Sequence, residues 1–275
     1  MHSELHTPVL FEEVQNIFLE KKFIQPTVVD ATLWLWWHAE MLSKNMESGA
    51  FIGFDRDTEN LARAKLHLEW ISPKIHKNFI ASSFENLERE LTKIWIGWID
   101  AILYDLWVSS VHYDDANRGF SLREDGPLDM RFDRTQGKTA EDLIMTLDVR
   151  ELSHIFEEFW EEKKSWFIAN AIVDIRKKVK IDTTKKLLDI IESSSFDKKS
   201  PIRVFQALRI AVNEEFVHIE NSLLQALSLL KVRWIIMVIT FHSLEDRLVK
   251  RLFAPYLEDS VDDFTWQIRE KAHCG

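Results

Sequence analysis

The amino-acid sequence predicts an α/β fold in which a parallel sheet is interrupted by a helical insertion. Up to about residue 106, short apolar segments alternate with segments of helical periodicity, a pattern typical of βαβ units and a parallel sheet. Residues 139–216 contain several helical segments and no convincing strand. The segment Ile235–Phe241, IIMVITF, then has the composition of a buried strand. The sheet therefore resumes after the insertion.

The first part of the chain alternates predicted helices with predicted strands. In the helices, apolar residues recur every three or four positions, whereas the strands are short apolar runs that end at polar or charged residues. The predicted helices are Leu10–Lys22, His38–Asn45, Thr58–Trp70 and Phe84–Ile94. The predicted strands are Thr27–Thr32, Ala50–Phe54, Lys77–Ile80 and Ile99–Leu106.

The middle of the chain changes character. Val111–Asp133 is irregular and rich in charged and turn residues. The helices predicted after it are Val149–Phe159, Phe167–Lys178, Thr183–Glu192, Pro201–Val212 and Glu214–Leu230. We therefore assign residues 1–112 and 218–275 to the sheet domain, and residues 113–217 to the insertion.

Composition excludes several classes of protein. With 275 residues, 46% of them hydrophobic, the chain can bury one large core or two smaller ones. No apolar run of about 18 residues is present, and the N-terminus lacks a secretory signal, so we expect a cytoplasmic protein without a membrane span. The single cysteine, Cys274, excludes a disulfide framework and a CxxC metal site. The net charge of −10 argues against an extended nonspecific nucleic-acid binder but allows a local basic surface.

Aspartates near the ends of three predicted strands are candidate ligand-binding residues. In an open parallel sheet, ligands bind beyond the carboxyl ends of the strands. Asp30, near the end of the first strand, could accept a hydrogen bond from an ammonium group. Asp55 directly follows the second strand, where an acid commonly binds ribose hydroxyls. Asp105, in the fourth strand, would face the same crevice, as would His242 after the last strand.

Each of these residues also has an ordinary structural interpretation. Asp30 could be a simple strand end, and the loop after Asp105 a solvated turn. The Asp55-Arg56-Asp57 segment could merely cap the next helix, a role that Asp57 fits better than Asp55. A lone histidine such as His242 is more often structural than catalytic. Other chemistry has no support, because the chain contains no GxSxG, GxxxxGK[ST] or HExxH motif.

A series of motifs resembles one family of enzymes. They are HTPVL (His6–Leu10), DATL followed by HAE, GFDRD (Gly53–Asp57), LYDL followed by VSS, RGFSLREDGPLDMRFD (Arg118–Asp133), FQALRIAVNEE (Phe205–Glu215) and TFHSLEDRLVKR (Thr240–Arg251). From His6 to about Phe253 the chain resembles the MraW/RsmH family, the bacterial 16S ribosomal RNA (cytosine-N4)-methyltransferases.

The resemblance implies a Rossmann-like sheet that binds S-adenosylmethionine (SAM), with a helical insertion that faces the RNA. The cofactor residues it implies are Trp36, Trp37, His38, Asp55 at the ribose, Phe84 near the adenine, Asp105 and His112. Asp105 is also the candidate for orienting the target amine. The implied partners are 16S rRNA in the small ribosomal subunit and a second copy of the chain in a homodimer. The basic residues implied to face RNA are Arg118, Arg123, Arg131, Arg134, Lys198, Lys199, Arg203 and Arg209.

Two other functions stay open. One is a SAM methyltransferase that acts on another nucleic acid or on a protein. The other is a catalytically dead protein that binds RNA or the ribosome. SAM binding distinguishes the enzymes from the dead protein, and analysis of methylated rRNA distinguishes the two enzymes.

Tryptophan stands at several positions where the family has glycine. The family pattern LGxGGH is replaced here by Leu33–His38, LWLWWH, and the other such positions are Trp95, Trp107, Trp160 and Trp234. The chain has 11 Trp and 7 Gly, whereas average usage would give about 19 Gly. We hypothesise that many of these codons are UGA read as glycine in the cell; the alternative is a degenerate paralogue that has lost its cofactor. The chain also ends before the family's basic tail, and we expect it to be a fragment.

Overall fold

The structure, a computed structural model, describes residues 8–33, 36–106 and 115–256. Five strands form one sheet in which every neighbouring pair is parallel. They are β1 (Thr27–Asp30), β2 (Gly49–Asp55), β3 (Ile75–Ala81), β4 (Ile99–Asp105) and β5 (Leu230–Ile239). Their order, β3-β2-β1-β4-β5, is that of the first five strands of the Rossmann sheet. The predicted α/β class is therefore confirmed.

Eleven α-helices lie within the described residues. Before β4 these are α1 (Phe11–Glu20), α2 (Trp37–Lys44), α3 (Thr58–Leu68) and α4 (Leu87–Lys93). Between β4 and β5 they are α5 (Ala140–Thr146), α6 (Val149–Trp160), α7 (Ser165–Arg176), α8 (Thr184–Ser194), α9 (Ser200–Asn213) and α10 (Glu215–Leu229). The last is α11 (Ser243–Phe253). Short 3₁₀ turns occupy Phe84–Asn86, Ala116–Arg118 and Ala254–Tyr256.

Several predicted boundaries differ from the structure. Strand β5 begins at Leu230 rather than Ile235, because its pairing with β4 extends back to Ile99. The helix predicted from Phe84 starts as a 3₁₀ turn, since the hydroxyl of Ser83 caps it by accepting from the N–H of Glu85. Strand β3 is longer by residues at both ends, where it pairs with β2.

The sheet is covered on both faces, which explains why its strands are continuous apolar runs. Side chains alternate between the faces: Val28 packs with α1, α2 and α3, and Val29 packs with α4, α10 and α11. Leu103 and Tyr104 of β4 divide in the same way. These two layers hold the carboxyl ends of the strands at one edge.

Helices α5 to α9 build a third core of their own. Its buried members include Leu152 and Phe156 of α6, Ile172 of α7 and Leu208 of α9. Helix α10, in contrast, packs its buried residues into the sheet layer, with Leu223 fully buried there. The division at residues 113 and 217 stays a prediction.

The segment before α5 is tied down by hydrogen bonds near the sheet edge. Asn213 of α9 donates through Nδ2 to the carbonyl of Met130 (2.8 Å) and accepts at Oδ1 from the N–H of Phe132 (2.8 Å). The guanidinium of Arg118 donates to the carbonyl of Phe132 (2.8 Å). Gly126 packs so closely on the carbonyl of Ala116 that a Cβ atom would collide with it.

Within the described ranges, no helix is long and apolar enough to span a membrane.

Candidate active site

A cavity that opens to solvent lies at the carboxyl ends of the strands. From the sheet side it is lined by Asp55, Phe84 and Asp105, and from the opposite side by Phe132, Glu215 and His218. It lies where the strand order reverses between β1 and β4, the usual ligand-binding position in such sheets. The structure thus brings together three of the residues proposed from sequence as cofactor contacts.

One carboxylate oxygen of Asp55 accepts a hydrogen bond, and the other has no partner among the described residues. Its Oδ1 accepts from the N–H of Asp57 (2.8 Å), whereas its Oδ2 is buried with no hydrogen-bond partner among the described residues. Burial raises the pKa of Asp55 to about 7. An unpaired, buried acceptor is costly, so a hydroxyl donor from a ligand would stabilise this site.

Asp57, not Asp55, caps helix α3. Its carboxylate accepts from the N–H groups of Glu59 (2.9 Å) and Asn60 (3.3 Å) at the helix N-terminus. The expectation that Asp57 fits the capping role better is confirmed. Asp55 is thereby left for another role.

Asp30 and Asp105 flank the point where the strand order reverses. Asp30 is 3% exposed and accepts at Oδ1 from the N–H of Thr32 (3.0 Å), and burial raises its pKa to about 6. The backbone N–H of Asp105 donates to the hydroxyl of Thr32 (2.7 Å). Asp105 lines the cavity, whereas Asp30 lies outside its lining. Thr32 links the ends of the two strands.

His38 supports Asp105 from behind. Its Nδ1 lies 3.4 Å from Oδ2 of Asp105, and its ring stacks on Phe11 of α1 at 6.0 Å between centroids. Nε2 of His38 is buried without a hydrogen-bond partner in the described part of the chain. His38 does not line the cavity, so in this structure it reaches the site through Asp105.

Phe84 forms an apolar wall of the cavity. Its ring packs edge-on against Tyr104, with centroids 5.8 Å apart and planes at 86°. Tyr104 is fully buried, and its hydroxyl lies 2.7 Å from Oγ of Ser222 on α10. The wall is therefore fixed by both β4 and α10, and a planar ring of a ligand could pack on it.

His242 has the structural role that sequence reasoning favoured. It is the N-cap of α11, where Nδ1 accepts from the N–H of Glu245 (3.3 Å). Its ring packs on Trp160 at 4.6 Å between centroids. Glu245, buried and accepting from the N–H of Phe241 (2.8 Å), lines the cavity in place of His242.

The loop before α2 adopts a backbone suited to glycine. Trp36 has φ 50° and ψ −2°, in the left-handed region, which disfavours residues with a Cβ. Its half-buried indole stacks on His67 of α3 (centroids 5.0 Å apart), lies near Trp37 and packs against the sheet core. Neither indole lines the cavity. Trp34, Trp107 and His112 lie outside the described residues.

Other tryptophans at family glycine positions behave differently from one another. Trp95 also has a left-handed φ, 62°, and is 95% exposed. Trp160 is helical, and the left-handed φ of 51° falls on the next residue, Glu161. Trp234 lies inside strand β5. The backbone conformation therefore favours glycine at Trp36 and Trp95. At Trp160 and Trp234 it does not distinguish glycine from other residues.

Sequence reasoning missed several residues that line the cavity. Arg56, next to Asp55, lines the cavity together with His218 of α10 and Glu245 of α11. Arg56 lies in the GFDRD motif and Glu245 in the TFHSLEDRLVKR motif, so the motifs themselves held a signal. Nothing in the local sequence distinguishes His218, because it reaches the cavity only through the packing of α10 on the sheet.

A sequence model of the MraW methylase family matches residues 3–265 of this chain. The chain belongs to the MraW methylase family. The resemblance seen in the motifs is thereby confirmed, and membership of the family makes the protein a methyltransferase. Its strand order agrees with a Rossmann-like methyltransferase sheet.

Curated relatives match the chain over most of its length. Three of them carry the name ribosomal RNA small subunit methyltransferase H. The Thermobifida fusca (strain YX) protein is 39% identical over 264 residues, covering 93% of this chain and 79% of the relative. The Streptococcus mutans serotype c protein is 43% identical, with 82% and 73% covered. The Dictyoglomus thermophilum protein is 40% identical, with 92% and 85% covered.

Proposed function

We propose that the protein transfers a methyl group from SAM to the exocyclic N4 amine of a cytidine in 16S rRNA of the small ribosomal subunit. The observation that carries the proposal is a strand-end cavity that joins Asp55, Phe84 and Asp105 in a chain of the MraW methylase family. The names of the relatives support rRNA of the small subunit as the substrate class.

The described residues fit the nucleoside part of SAM. The unpaired Oδ2 of Asp55 offers an acceptor for a ribose hydroxyl, and Phe84 offers an apolar face for adenine. Asp105 and His38 lie together at the end of β4, beside the start of α2. The methionine part would lie against the loop that holds Trp36, where the family glycines are absent.

When bound, SAM supplies an electrophilic methyl group on a sulfonium centre. The protein must present the N4 amine in line with that methyl, and orientation of this kind lowers the barrier. The amine is a poor nucleophile because its lone pair is delocalised into the ring. We assign to Asp105 the task of orienting it, with His38 holding the carboxylate from behind at 3.4 Å.

The target cytidine must leave its stack to enter the cavity, which costs a few kcal/mol. The wall formed by Phe132 and Glu215 would then enclose it from the insertion side. Enclosure of this kind excludes water and strengthens the interaction between Asp105 and the amine.

The basic residues expected to face RNA divide into two groups. Five are engaged with acidic side chains: Arg118, Arg131, Arg134, Arg203 and Arg209. Three are exposed, and their side chains form no ion pair or hydrogen bond with other described residues: Arg123, Lys198 and Lys199. We therefore propose that the latter three bind the RNA backbone, where a cation without a competing carboxylate is most effective.

The test is nucleoside mass spectrometry of 16S rRNA after small-subunit precursors are incubated with SAM and with protein that carries Trp34→Gly, Trp36→Gly, Trp37→Gly and Trp107→Gly, the positions where the family has glycine. We expect N4-methylcytidine to form, and Asp105→Asn to abolish most of it. Asp100→Asn is the matched control, because Asp100 lies at the other end of β4 and accepts from the backbone of Thr27.

Two other outcomes correspond to the alternatives. Methylation of another molecule, with none in 16S rRNA, would replace the proposed substrate. Absence of SAM binding, with retained binding to the small subunit, would show a dead paralogue. The tryptophans of the loop before α2 are the observation that favours this last outcome for the chain as written.

A further inference from the structure

His218 lies at the cavity wall without a role in the proposed mechanism. It is on α10, one turn after the helix begins, and is 6% exposed. Its ring lines the same cavity as Asp55 and Phe84. Its neighbour Ile219 adds an apolar side chain to that wall.

The two ring nitrogens of His218 have different surroundings. Nε2 lies 2.6 Å from Oε2 of Glu85, the residue that follows Phe84. Nδ1 is buried and has no hydrogen-bond partner among the residues that the structure describes. A second carboxylate, that of Glu214, is 3.9 Å from Nε2 and does not approach Nδ1 within ion-pair distance.

The contact between His218 and Glu85 determines which ring nitrogen of His218 carries the proton. Burial, together with the positive charge of nearby Arg56, lowers the pKa of His218 to about 4, so the ring is neutral at pH 7. The Glu85 carboxylate can only accept a hydrogen bond, which places the single ring proton on Nε2. Nδ1 is then a bare lone pair that needs a donor.

We propose that Nδ1 of His218 accepts a hydrogen bond from the exocyclic amine of the adenine ring, which makes His218 a specificity-determining residue for adenine nucleosides. The inference rests on the proposed function, because it takes the cavity to be the cofactor site. Asp55 and Phe84 mark the ribose and adenine ends of that site, and Glu85 joins His218 directly to the adenine end. An adenine amine would give the buried Nδ1 of His218 the hydrogen-bond partner that it lacks among the described residues.

A comparison of adenosine with inosine tests whether Nδ1 of His218 accepts this hydrogen bond. Inosine carries a carbonyl oxygen where adenosine carries the amine, so it would set an acceptor against the lone pair of Nδ1. Both nucleosides lack the methionine part and avoid the loop around Trp36. Their dissociation constants are measured by titration calorimetry with the full chain at pH 7.

We expect adenosine to bind about tenfold more tightly than inosine, the ratio typical of one hydrogen bond to a buried group. In His218→Leu, which keeps the bulk but removes the acceptor, we expect this ratio to fall to within twofold. His67→Leu is the matched control: His67 makes the same 2.6 Å contact with a glutamate, Glu40, outside the cavity. It should keep the tenfold ratio.

Three results would overturn the inference. They are equal binding of the two nucleosides by the unaltered chain, no binding of adenosine, and a preference for adenosine that persists in folded His218→Leu. Circular dichroism melting verifies that the variant is folded, and His218→Phe, which keeps an aromatic ring but has no acceptor, replaces it if it is not. A protein that selects adenosine but fails to methylate rRNA would support the inference and contradict the proposed substrate.

Discussion

Glycine at four positions where the family has it and this chain has tryptophan should create SAM binding. The variant carries Trp34→Gly, Trp36→Gly, Trp37→Gly and Trp107→Gly. Glycine lets the backbone approach a bound cofactor and adopt left-handed φ without strain. We expect negligible binding by the chain as written and a dissociation constant in the micromolar range for the variant.

The structure gives the cost of this change at one position. Trp36, at φ 50°, carries roughly 1–2 kcal/mol of left-handed strain that glycine removes. Its stack on His67 contributes about 0.5–1.5 kcal/mol, which the variant loses. Trp36 also packs against the sheet core, so the variant should lose a further stabilisation of about 1–3 kcal/mol from buried apolar area. Circular dichroism melting verifies that it stays folded.

Titration calorimetry with SAM on both proteins measures the change. We expect a dissociation constant near or above 1 mM for the written chain and about 10 μM for the variant, a difference of about 2.7 kcal/mol. Trp70→Gly, at a position 83% exposed and outside the cavity lining, is the control and should leave binding unchanged. Equal, tight binding by the unaltered chain would refute the reasoning, as would ordinary UGG codons at the four positions.

Three further predictions concern stability. Trp95→Gly should raise the melting temperature by about 2–4 °C in calorimetry, because it removes left-handed strain of about 1 kcal/mol from an exposed residue. The control is Trp98→Gly, at an exposed position without a positive φ, which should not raise the melting temperature. Since burial raises the pKa of Asp55 to about 7 from about 4 in the unfolded chain, the native state holds an extra proton between these values. The free energy of unfolding therefore falls as pH rises from 4 to 7. At pH 8, urea titration should show Asp55→Asn to be more stable than the unaltered chain by up to about 4 kcal/mol. At pH 4 the variant should show no such gain. Asn213→Ala should lower the free energy of unfolding in urea by about 2–3 kcal/mol, because the N–H of Phe132 and the carbonyl of Met130 lose their partners; a change below 0.5 kcal/mol would show that the loop is held by other contacts.

The sheet could be predicted from sequence because its signal is local. Strands such as β2 and β4 are apolar runs that end at an aspartate, and both facts can be read without knowing what packs against them. The order of the strands and the length of β5 depend on pairing between distant segments. Leu230 extends β5 only because Ile99 lies opposite it, and no nearby residue indicates that.

The residues of the candidate site also divide into those that local sequence predicts and those that only tertiary packing brings to the cavity. Asp55 and Asp105 could be found because every parallel strand delivers its last residue to the same edge. His242 was ambiguous, because a residue at that edge can either meet a ligand or cap the next helix, and the structure shows the second. Phe132 and His218 reach the cavity through the packing of α9 and α10, which is tertiary information.

The pairing of β4 with β5 sets an order of events for folding. Ile99 and Leu230 are neighbours in the sheet although 131 positions separate them along the chain. The entropy of closing a flexible loop of that length delays such a contact. Helices α5 to α9 have a core of their own, and once it forms the connection between the two strands becomes short and stiff. Early formation of that core would therefore speed the closing of the sheet, and with it the assembly of the edge that carries Asp105 and Glu245.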